Sequence, residues 1–421
     1  MNGLVLTAGG ARGAYQAGVL KRIGEIRALR DQPSPFPIVA GASAGAINGA
    51  AIAARSDGFR DATQLLAKLW SELAVQNVFR ADALSLSTNG LRLLRDLTLG
   101  GLLGHAGTQS LLDASPLRPF LARHLPLEGI AQAITAGHIY AVAVSATSYH
   151  SGRSFTFVQG RPGHPVWVKS RRVTLSVMLT LDHILASAAI PIVFQPVQIR
   201  VGDRQLYFGD GGLRLVTPLS PAIRLGATRV LAIGVRCQRA ADDLWRAELA
   251  PESDKSGDHL TVQPPLSQIC GVFMNAIFLD HLDADLDHLN RMNELIHAYG
   301  SAGAPAPEAS VTATVKEPMR IVTPLAINPS EDLAIVAKEC AHRMPRLVRH
   351  LMEGLGTPDA TSADLMSYLL FDSTYTGALV DIGYRDANAR IDEIEAFLLP
   401  AEPRQRRSSR SVRRPSLSVL S

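Results

Sequence analysis

The start of the chain alternates apolar runs with small-residue turns, and few folds accommodate that order. An apolar run over residues 3–7 leads into the loop Ala8-Gly9-Gly10-Ala11-Arg12-Gly13, and a helix with an apolar stripe follows. A second run over residues 38–40 leads into Gly41-Ala42-Ser43-Ala44-Gly45 and then a small-residue helix over residues 46–54. Consecutive parallel strands need such crossover helices. The sequence therefore predicts an α/β fold with a mostly parallel central sheet.

The rest of the chain continues this pattern and then becomes helical. Strands are predicted over residues 138–147, 153–158, 192–201, 205–208, 229–235 and 319–323. Helices are predicted over residues 181–189, 218–225, 266–299, 330–354 and 364–399, the last interrupted around Tyr375-Thr376-Gly377. We predict one core at residues 1–325 with a cap-like helical segment at 61–123, a helical extension at 326–400 and a basic tail at 401–421.

Composition excludes several classes of protein. The 421 residues are 47% hydrophobic and 19% charged, which is typical of a globular chain with a sizeable core. Three cysteines, Cys237, Cys270 and Cys340, show no Cys-x-x-Cys spacing, so reduced thiols are expected rather than a disulfide or metal framework. No signal peptide and no membrane-crossing span are expected, which predicts a cytoplasmic protein whose membrane contact is peripheral.

The basic surplus lies at the end of the chain. Formal net charge is +4, and residues 404–414 contain several arginines and no acid. A disordered tail is the favoured interpretation, and a patch for anionic lipid or nucleic acid is the alternative. Without this tail the chain is near neutral, so no nucleic-acid partner is expected.

Two other segments allow a functional and a plain structural interpretation. Residues 91–103 are rich in leucine, which fits either a core helix or a mobile apolar cap for a hydrophobic substrate. We favour the cap. Asp280, Asp283 and Asp287 share one side of a predicted helix with two histidines. A metal site is one interpretation, but carboxylates on the wet side of an amphipathic helix are the usual case, and we favour it.

Ser43 is the strongest candidate nucleophile. A serine between glycines at a strand-to-helix junction suits a sharp turn that exposes its hydroxyl, although a helix N-cap serine has the same pattern. The backbone N–H groups of the Gly9-Gly10-Ala11-Arg12-Gly13 loop can stabilise an oxyanion if its strand lies beside the strand before Ser43.

A nucleotide-binding loop is the rival interpretation of these glycines. The dinucleotide pattern needs a glycine where this chain has Ala8, and Asp31 does not end a strand as a ribose partner should. The phosphate-binding lysine of P-loops is missing as well. This alternative is weak.

Asp210 is the candidate base, since it ends a predicted strand and precedes Gly211-Gly212 on a tight turn. The alternative interpretation is an ordinary Asp-Gly turn without a catalytic role. A Ser-His-Asp triad is the alternative mechanism, but His259 and His297 have no flanking pattern that indicates catalysis. A carboxylate can accept the serine proton directly, so a Ser-Asp pair needs no histidine.

Together these motifs resemble the patatin-like phospholipase family. The resemblance rests on Ala8-Gly9-Gly10-Ala11-Arg12-Gly13, Gly41-Ala42-Ser43-Ala44-Gly45 and Asp210-Gly211-Gly212. A block at residues 185–191, followed by Phe194 and Pro196, is also similar to the family's segment before the aspartate. The likeness covers roughly residues 3–235, and the C-terminal half resembles extensions of larger bacterial members.

The resemblance implies a three-layer α/β/α fold and hydrolysis of phospholipids, lysophospholipids or neutral acyl lipids without cofactor or metal. It implies Ser43 as nucleophile, Asp210 as base and residues 9–13 as the oxyanion loop. Ala8 and Gly212 depart from the family pattern, which has glycine and alanine at those places. An inactive lipid- or partner-binding protein is the alternative function. For Arg12 three roles stay open: an oxyanion donor, a headgroup ligand or a brace for the loop. Oligomeric state is not predicted.

Overall fold

One twisted sheet organises the computed structural model, which describes residues 1–80, 110–237, 281–301, 320–344 and 366–399. Within those ranges its strands are β1 (Asn2–Leu6), β2 (Ile38–Ala42), β3 (Ala141–Ser148), β4 (Ser154–Gly160), β5 (Val168–Lys169), β6 (Arg172–Ser176), β7 (Val197–Val201), β8 (Arg204–Gly209), β9 (Arg229–Ile233) and β10 (Thr323–Ile327). The strand order is β10-β9-β1-β2-β3-β4-β6-β5, and β8 pairs with both β3 and β7.

The parallel half of the sheet carries the two sequence motifs from the start of the chain. β10, β9, β1, β2 and β3 all pair in parallel. β1 lies directly beside β2, with Gly3 opposite Ile38 and Leu6 opposite Gly41. The loops after both strands therefore open at the same edge of the sheet, as predicted. Beyond β3 the pairing with β4 and with β8 is antiparallel.

Helices cover both faces of the sheet. In chain order the described helices are α1 (Gly13–Gly24), α2 (Ala44–Ala54), α3 (Phe59–Ser71), α4 (Val75–Val78), α5 (Leu117–His124), α6 (Glu128–Ala136), α7 (Leu181–Ser187), α8 (Ser220–Arg224), α9 (Leu282–Ser301), α10 (Leu333–Glu339), α11 (Ser373–Ala389) and α12 (Ile391–Leu398). None of these helices has the length and apolar character needed to span a membrane.

Alternate residues of β1 belong to different hydrophobic clusters, which explains the three layers. Leu4 and Leu6 pack in the larger cluster with α1, α2, α3 and α11. Val5, between them, packs in the smaller cluster with α8 and the start of α9. Side chains alternate across a strand, so a strand that is apolar throughout has both faces buried. The predicted α/β fold with a mostly parallel sheet is confirmed.

The helical C-terminal region predicted from sequence is also confirmed, and it packs on the N-terminal helix. α11 crosses α1 where Gly18 and Gly383 let the two backbones touch: a Cβ on Gly18 would collide with the Val380 carbonyl, and one on Gly383 with that of Tyr15. The division at residue 325 stays a prediction, since β10 continues the sheet across it.

Four predicted boundaries were wrong for identifiable reasons. The strand expected over 192–201 begins at Val197, because Ile192 has φ 70 and turns the chain. The last strand is Thr323–Ile327 rather than 319–323. Its Pro324 argued against a strand, but β10 lies at the edge of the described sheet, where proline is tolerated.

The other two errors concern helices. The helix expected over 330–354 ends at Glu339 and gives way to a 3-10 turn. α11 runs straight through Tyr375-Thr376-Gly377, where an interruption was expected. Asp372 caps the start of α11 by accepting from the Thr374 N–H, and buried Tyr375 anchors it through a hydroxyl that donates to the Leu333 carbonyl.

Several predicted features lie outside the described residues. They are the leucine-rich segment 91–103, Cys270, Asp280, His259 and the basic tail 401–421.

Candidate active site

Ser43 occupies a sharp turn between β2 and α2. Its backbone has φ 55 and ψ −127, which is rare for a residue with a side chain and costs about 1–3 kcal/mol. A Cβ on Gly41 would collide with the Gly45 carbonyl, and a Cβ on Gly45 with the carbonyl of Leu6 at the end of β1. The two glycines are therefore required because backbone atoms fill the space beside them. This is the strand-to-helix turn that the sequence predicted.

Ser187, at the end of α7, fixes this turn against the sheet. The Ser43 N–H donates to the Ser187 hydroxyl at 2.9 Å, and that hydroxyl donates to the Ser145 carbonyl of β3 at 2.6 Å. Ser187 has no exposed surface. Sequence reasoning had placed it in the block at residues 185–191 without a role, because neither partner is near it in the chain.

Asp210 follows β8 and is held by hydrogen bonds on three sides. Its N–H donates to the Ala189 carbonyl at 2.8 Å, and its own carbonyl accepts from the Thr147 hydroxyl at 2.8 Å. Its carboxylate Oδ1 accepts from the Gly212 N–H at 2.8 Å. The carboxyl group is thus oriented by its own turn and by neighbouring strands.

Ser43 and Asp210 come together in the fold, and both are buried. Burial raises the pKa of the Asp210 carboxyl from 3.8 to about 6, while the Ser43 hydroxyl and the Gly212 N–H lower it by hydrogen bonding. The contact with the Ser43 hydroxyl does not meet the distance and angle criteria of a hydrogen bond. Oδ2 of Asp210 is buried and has no partner that meets them among the described residues. The result is a carboxylate more basic than an exposed one, next to a serine hydroxyl.

The glycine loop forms a 3-10 turn whose first part is free to donate. The Arg12 N–H donates to the Gly9 carbonyl at 3.0 Å, and the Gly13 N–H is directed at the Gly10 and Ala11 carbonyls. The N–H groups of Gly9, Gly10 and Ala11 start the turn, where helical geometry offers no internal acceptor. Of the five predicted oxyanion residues, these three have no acceptor within the turn, and Gly9 and Gly10 line the cleft that contains Ser43.

Arg12 points away from solvent into the C-terminal region. Its Nε donates to the Ser367 hydroxyl at 2.6 Å, and its guanidinium lies over the Tyr368 ring, 4.3 Å from the centroid. The Tyr368 carbonyl also fills the space beside Gly10, which has φ 52. Of the three roles predicted for Arg12, this burial favours the brace. The partners are 355 residues away in the chain, so no local pattern could reveal them.

The two departures from the family pattern occupy one space. A Cβ on Gly212 would lie 2.7 Å from the Cβ of Ala8. The methyl group missing at residue 212 is therefore replaced, in nearly the same place, by the extra one at residue 8. We interpret Ala8 and Gly212 as a compensating pair.

Two clefts meet at Ser43. The first encloses about 760 Å³, open solvent included, and is almost wholly apolar. Its walls come mainly from α2, α3 and α5, from the segment after α7 and from the residues just before α11. They include Ile47, Leu66, Trp70, Leu117, Phe120, Leu121, Phe194 and Phe371. The second, more polar cleft contains Asp210, Gly9, Gly10 and Tyr368, and it shares Ser43, Gly10 and Ile190 with the first.

His281 is a wall residue that sequence reasoning did not connect with this site, since it was considered only as part of a metal cluster. It lines the polar cleft with Ser43 and Asp210.

Asp283, Asp287 and the described histidines form no group of three that could hold a metal ion. Burial lowers the pKa of His183 to about 4, so that histidine is neutral.

A three-layer α/β fold that carries a strained serine turn at the edge of its parallel strands defines the class of α/β proteins with a serine at a strand-to-helix elbow. Within that class, the family model for patatin-like phospholipases matches residues 4–223, just over half of the chain. The chain belongs to the patatin-like phospholipase family, a family of lipid hydrolases.

The other comparisons add little to this assignment. VipD from Legionella pneumophila is a similar solved structure at 12% sequence identity, with 93% of this chain and 67% of that chain covered and a TM-score of 0.32. A comparison with curated proteins found no match.

Proposed function

We propose that this protein is a lipid acyl hydrolase that works through an acyl-enzyme on Ser43, with Asp210 as the base. The observation that carries the proposal is the buried contact of Ser43 with Asp210 at the meeting point of an apolar and a polar cleft. An ester with a long acyl chain needs both environments, one for the chain and one for the reacting carbonyl.

In the first step the Ser43 Oγ attacks the ester carbonyl carbon while its proton passes to the Asp210 carboxylate. The raised pKa of Asp210 makes it a stronger base than an exposed aspartate, yet it is ionised at neutral pH. Charge develops on the carbonyl oxygen, and we assign its stabilisation to the N–H groups of Gly9, Gly10 and Ala11. The position of Gly9 and Gly10 in the wall of the cleft that contains Ser43 supports this assignment.

The intermediate collapses when the bond to the alcohol oxygen breaks and Asp210 returns its proton to that leaving group. Water then attacks the acyl-enzyme carbonyl carbon and gives a proton to Asp210. The bond between the acyl carbon and the Ser43 Oγ breaks, Asp210 returns that proton to the Oγ, and the fatty acid is released. The loose Ser43–Asp210 contact fits this cycle, since catalytic hydrogen bonds often tighten only in the substrate complex.

The apolar cleft supports an acyl chain as the recognised group, because its lining offers many dispersion contacts and few polar partners. Phospholipids, lysophospholipids and neutral lipids differ in the alcohol to which the acyl chain is esterified, so recognition of that alcohol determines which of them is hydrolysed. A panel of these lipids with the purified protein would assign it.

The test is a fluorophosphonate probe together with hydrolysis of a medium-chain p-nitrophenyl ester. Wild-type protein should be labelled and active, and Ser43→Ala should lose both properties while it remains folded. Ser151→Ala, an exposed serine in the turn after β3, is the matched control and should behave as wild type.

Other outcomes point to other functions. A folded wild-type protein that the probe does not label would indicate an inactive lipid- or partner-binding protein. Thermal stabilisation by ATP or NAD would favour the nucleotide-binding interpretation instead.

A further inference from the structure

A second, basic cleft lies beside the candidate active site. It is lined by Lys169, Arg171, Arg172 and Arg214, together with Gly152, Ser170, Val216 and Thr217, and it encloses about 770 Å³, open solvent included. No acidic side chain lines it. Four cations in one open cleft form a concentrated positive field.

The topology places this cleft at the same edge of the sheet as Ser43. β4 runs antiparallel to β3, and Arg172 pairs with Ser154 at the start of β4, so it lies at the edge where β3 ends. Arg214 reaches that edge as well, since its Nε donates to the Gly152 carbonyl at 2.9 Å in the turn after β3.

A single segment separates the basic cleft from the catalytic one. Leu215 and Pro218 line the cleft that contains Asp210. Arg214, Val216 and Thr217 line the basic cleft. The two clefts are therefore neighbours on one surface.

Two of the four cations are held by hydrogen bonds to neutral groups. Arg172 donates to the hydroxyls of Thr217 and Ser220, and Arg214 donates to a backbone carbonyl. Throughout the described ranges, none of the four cations makes a salt bridge. Asp285 acts on Arg172 through space, but its carboxylate accepts from the Leu219 N–H and does not line the cleft.

One exposed apolar side chain lies in the wall of the cleft, and a second lies outside its lining, on the edge strand β5 that carries Lys169. Val168, next to Lys169, is 73% exposed, and Val216 in the cleft wall is 58% exposed. Exposed aliphatic side chains among lysines and arginines are typical of surfaces that rest on anionic bilayers, where cations meet headgroups and apolar groups enter the interface.

We propose that this basic cleft, with Val168 and Val216, is a docking surface for anionic phospholipid bilayers that brings the catalytic edge of the sheet to the membrane. Its purpose rests on the proposed lipid hydrolysis, but its existence does not. The ligand is the phosphate of a headgroup within a bilayer, and the apolar side chains favour that source over free phosphate.

The test measures vesicle binding by the full chain carrying Ser43→Ala, so that no lipid is hydrolysed. Vesicles of phosphatidylcholine alone are compared with vesicles that also contain phosphatidylglycerol. Each cation near an anionic surface contributes about fivefold to binding, so Lys169→Gln/Arg171→Gln should bind the anionic vesicles about 30-fold more weakly. Both side chains are exposed, and thermal unfolding checks that the variant is folded.

The matched control is Arg27→Gln/Arg30→Gln, which removes the same charge from two exposed arginines between α1 and β2, at the opposite edge of the sheet. It should keep most of the binding. A second variant, Val168→Ser/Val216→Ser, should also weaken binding without any change of charge.

Three results would overturn the proposal. Equal binding by the Lys169/Arg171 variant and its parent would place membrane contact elsewhere, the arginines of residues 404–414 included. Equal losses in the two charge variants would reduce the effect to net charge. Inorganic phosphate that stabilises the parent but not the Lys169/Arg171 variant, without a difference in vesicle binding, would assign the cleft to a soluble phosphorylated ligand. Ser43 labelling is independent of all three, so docking and catalysis can fail separately.

Discussion

The serine side and the aspartate side of the candidate site carry different kinds of strain. Ser43 has a strained backbone and no side-chain cap. Packed carbonyl groups beside Gly41 and Gly45 and the hydrogen bond to Ser187 hold its turn in place. Asp210 has an ordinary extended backbone, φ −46 and ψ 132, and a hydrogen bond from the Gly212 N–H orients its carboxylate. The strain at Asp210 is electrostatic, because its carboxylate oxygen Oδ2 is buried and makes no regular hydrogen bond within the described residues.

The difference teaches which changes each side can tolerate. A turn fixed by close packing fails when one atom is added, because backbone atoms cannot move aside. A turn fixed by hydrogen bonds survives an isosteric change, and relief of its buried charge stabilises the fold. Three experiments test this contrast.

Gly45→Ala should have the largest effect. The new Cβ would overlap the Leu6 carbonyl of β1, and we expect a loss of about 4 kcal/mol or more in the free energy of unfolding. Urea denaturation measures it. Gly377→Ala is the matched control, because nothing lies within 4 Å of a Cβ there, inside α11. That control should gain about 0.5–1 kcal/mol from helix propensity. A Gly45→Ala protein of wild-type stability would contradict the packing argument.

Asp210→Asn should remove activity and yet stabilise the protein, in a pH-dependent way. The folded pKa of about 6 exceeds the ordinary value of 3.8, so folding favours the protonated acid. Stability from this group is complete below pH 3.8 and is lost as pH rises through about 6, which amounts to about 3 kcal/mol at pH 8. Asparagine should recover that loss at pH 8 and change little at pH 4, as thermal unfolding at both values would show.

The activity of Asp210→Asn gives the other half of this comparison. Removal of a general base should lower kcat/KM about 10²–10⁴-fold. In the wild-type enzyme kcat/KM should rise with pH through about 6, where Asp210 ionises. An active Asp210→Asn protein would exclude the dyad, and a destabilised one at pH 8 would show that the carboxylate is better satisfied than its burial indicates.

The smallest effect concerns Ala8, in the glycine loop after β1, and Gly212, in the turn of Asp210. Gly212→Ala alone should cost about 1–3 kcal/mol, because its Cβ would lie 2.7 Å from that of Ala8. Ala8→Gly alone should cost about 0.4–1 kcal/mol through the added freedom of the unfolded chain. The double variant should recover most of both losses in a double-mutant cycle. Additive losses would mean that the two positions do not compensate each other.

The candidate site could be predicted in outline because its motifs are local. The turn at Ser43 needs glycines two residues away on either side, and the turn at Asp210 is made with the N–H of Gly212. The sequence left the position of β1 beside β2 as a condition of this prediction, and the fold meets that condition. The predicted strand at residues 192–201 failed for the opposite reason, since the turn at Ile192 has no glycine or proline at its strained position.

What the sequence determined by itself was the α/β order of elements, the parallel strands and the pair of turns that carry Ser43 and Asp210, because these depend on neighbours within a few residues. Only the tertiary structure decided what Ser187, Arg12 and His281 contact, and gathered the cations of the basic cleft. Their partners lie tens to hundreds of residues away in the chain. Contacts of that kind form when the whole chain closes around its core, and no local pattern of residue types specifies which distant groups will meet.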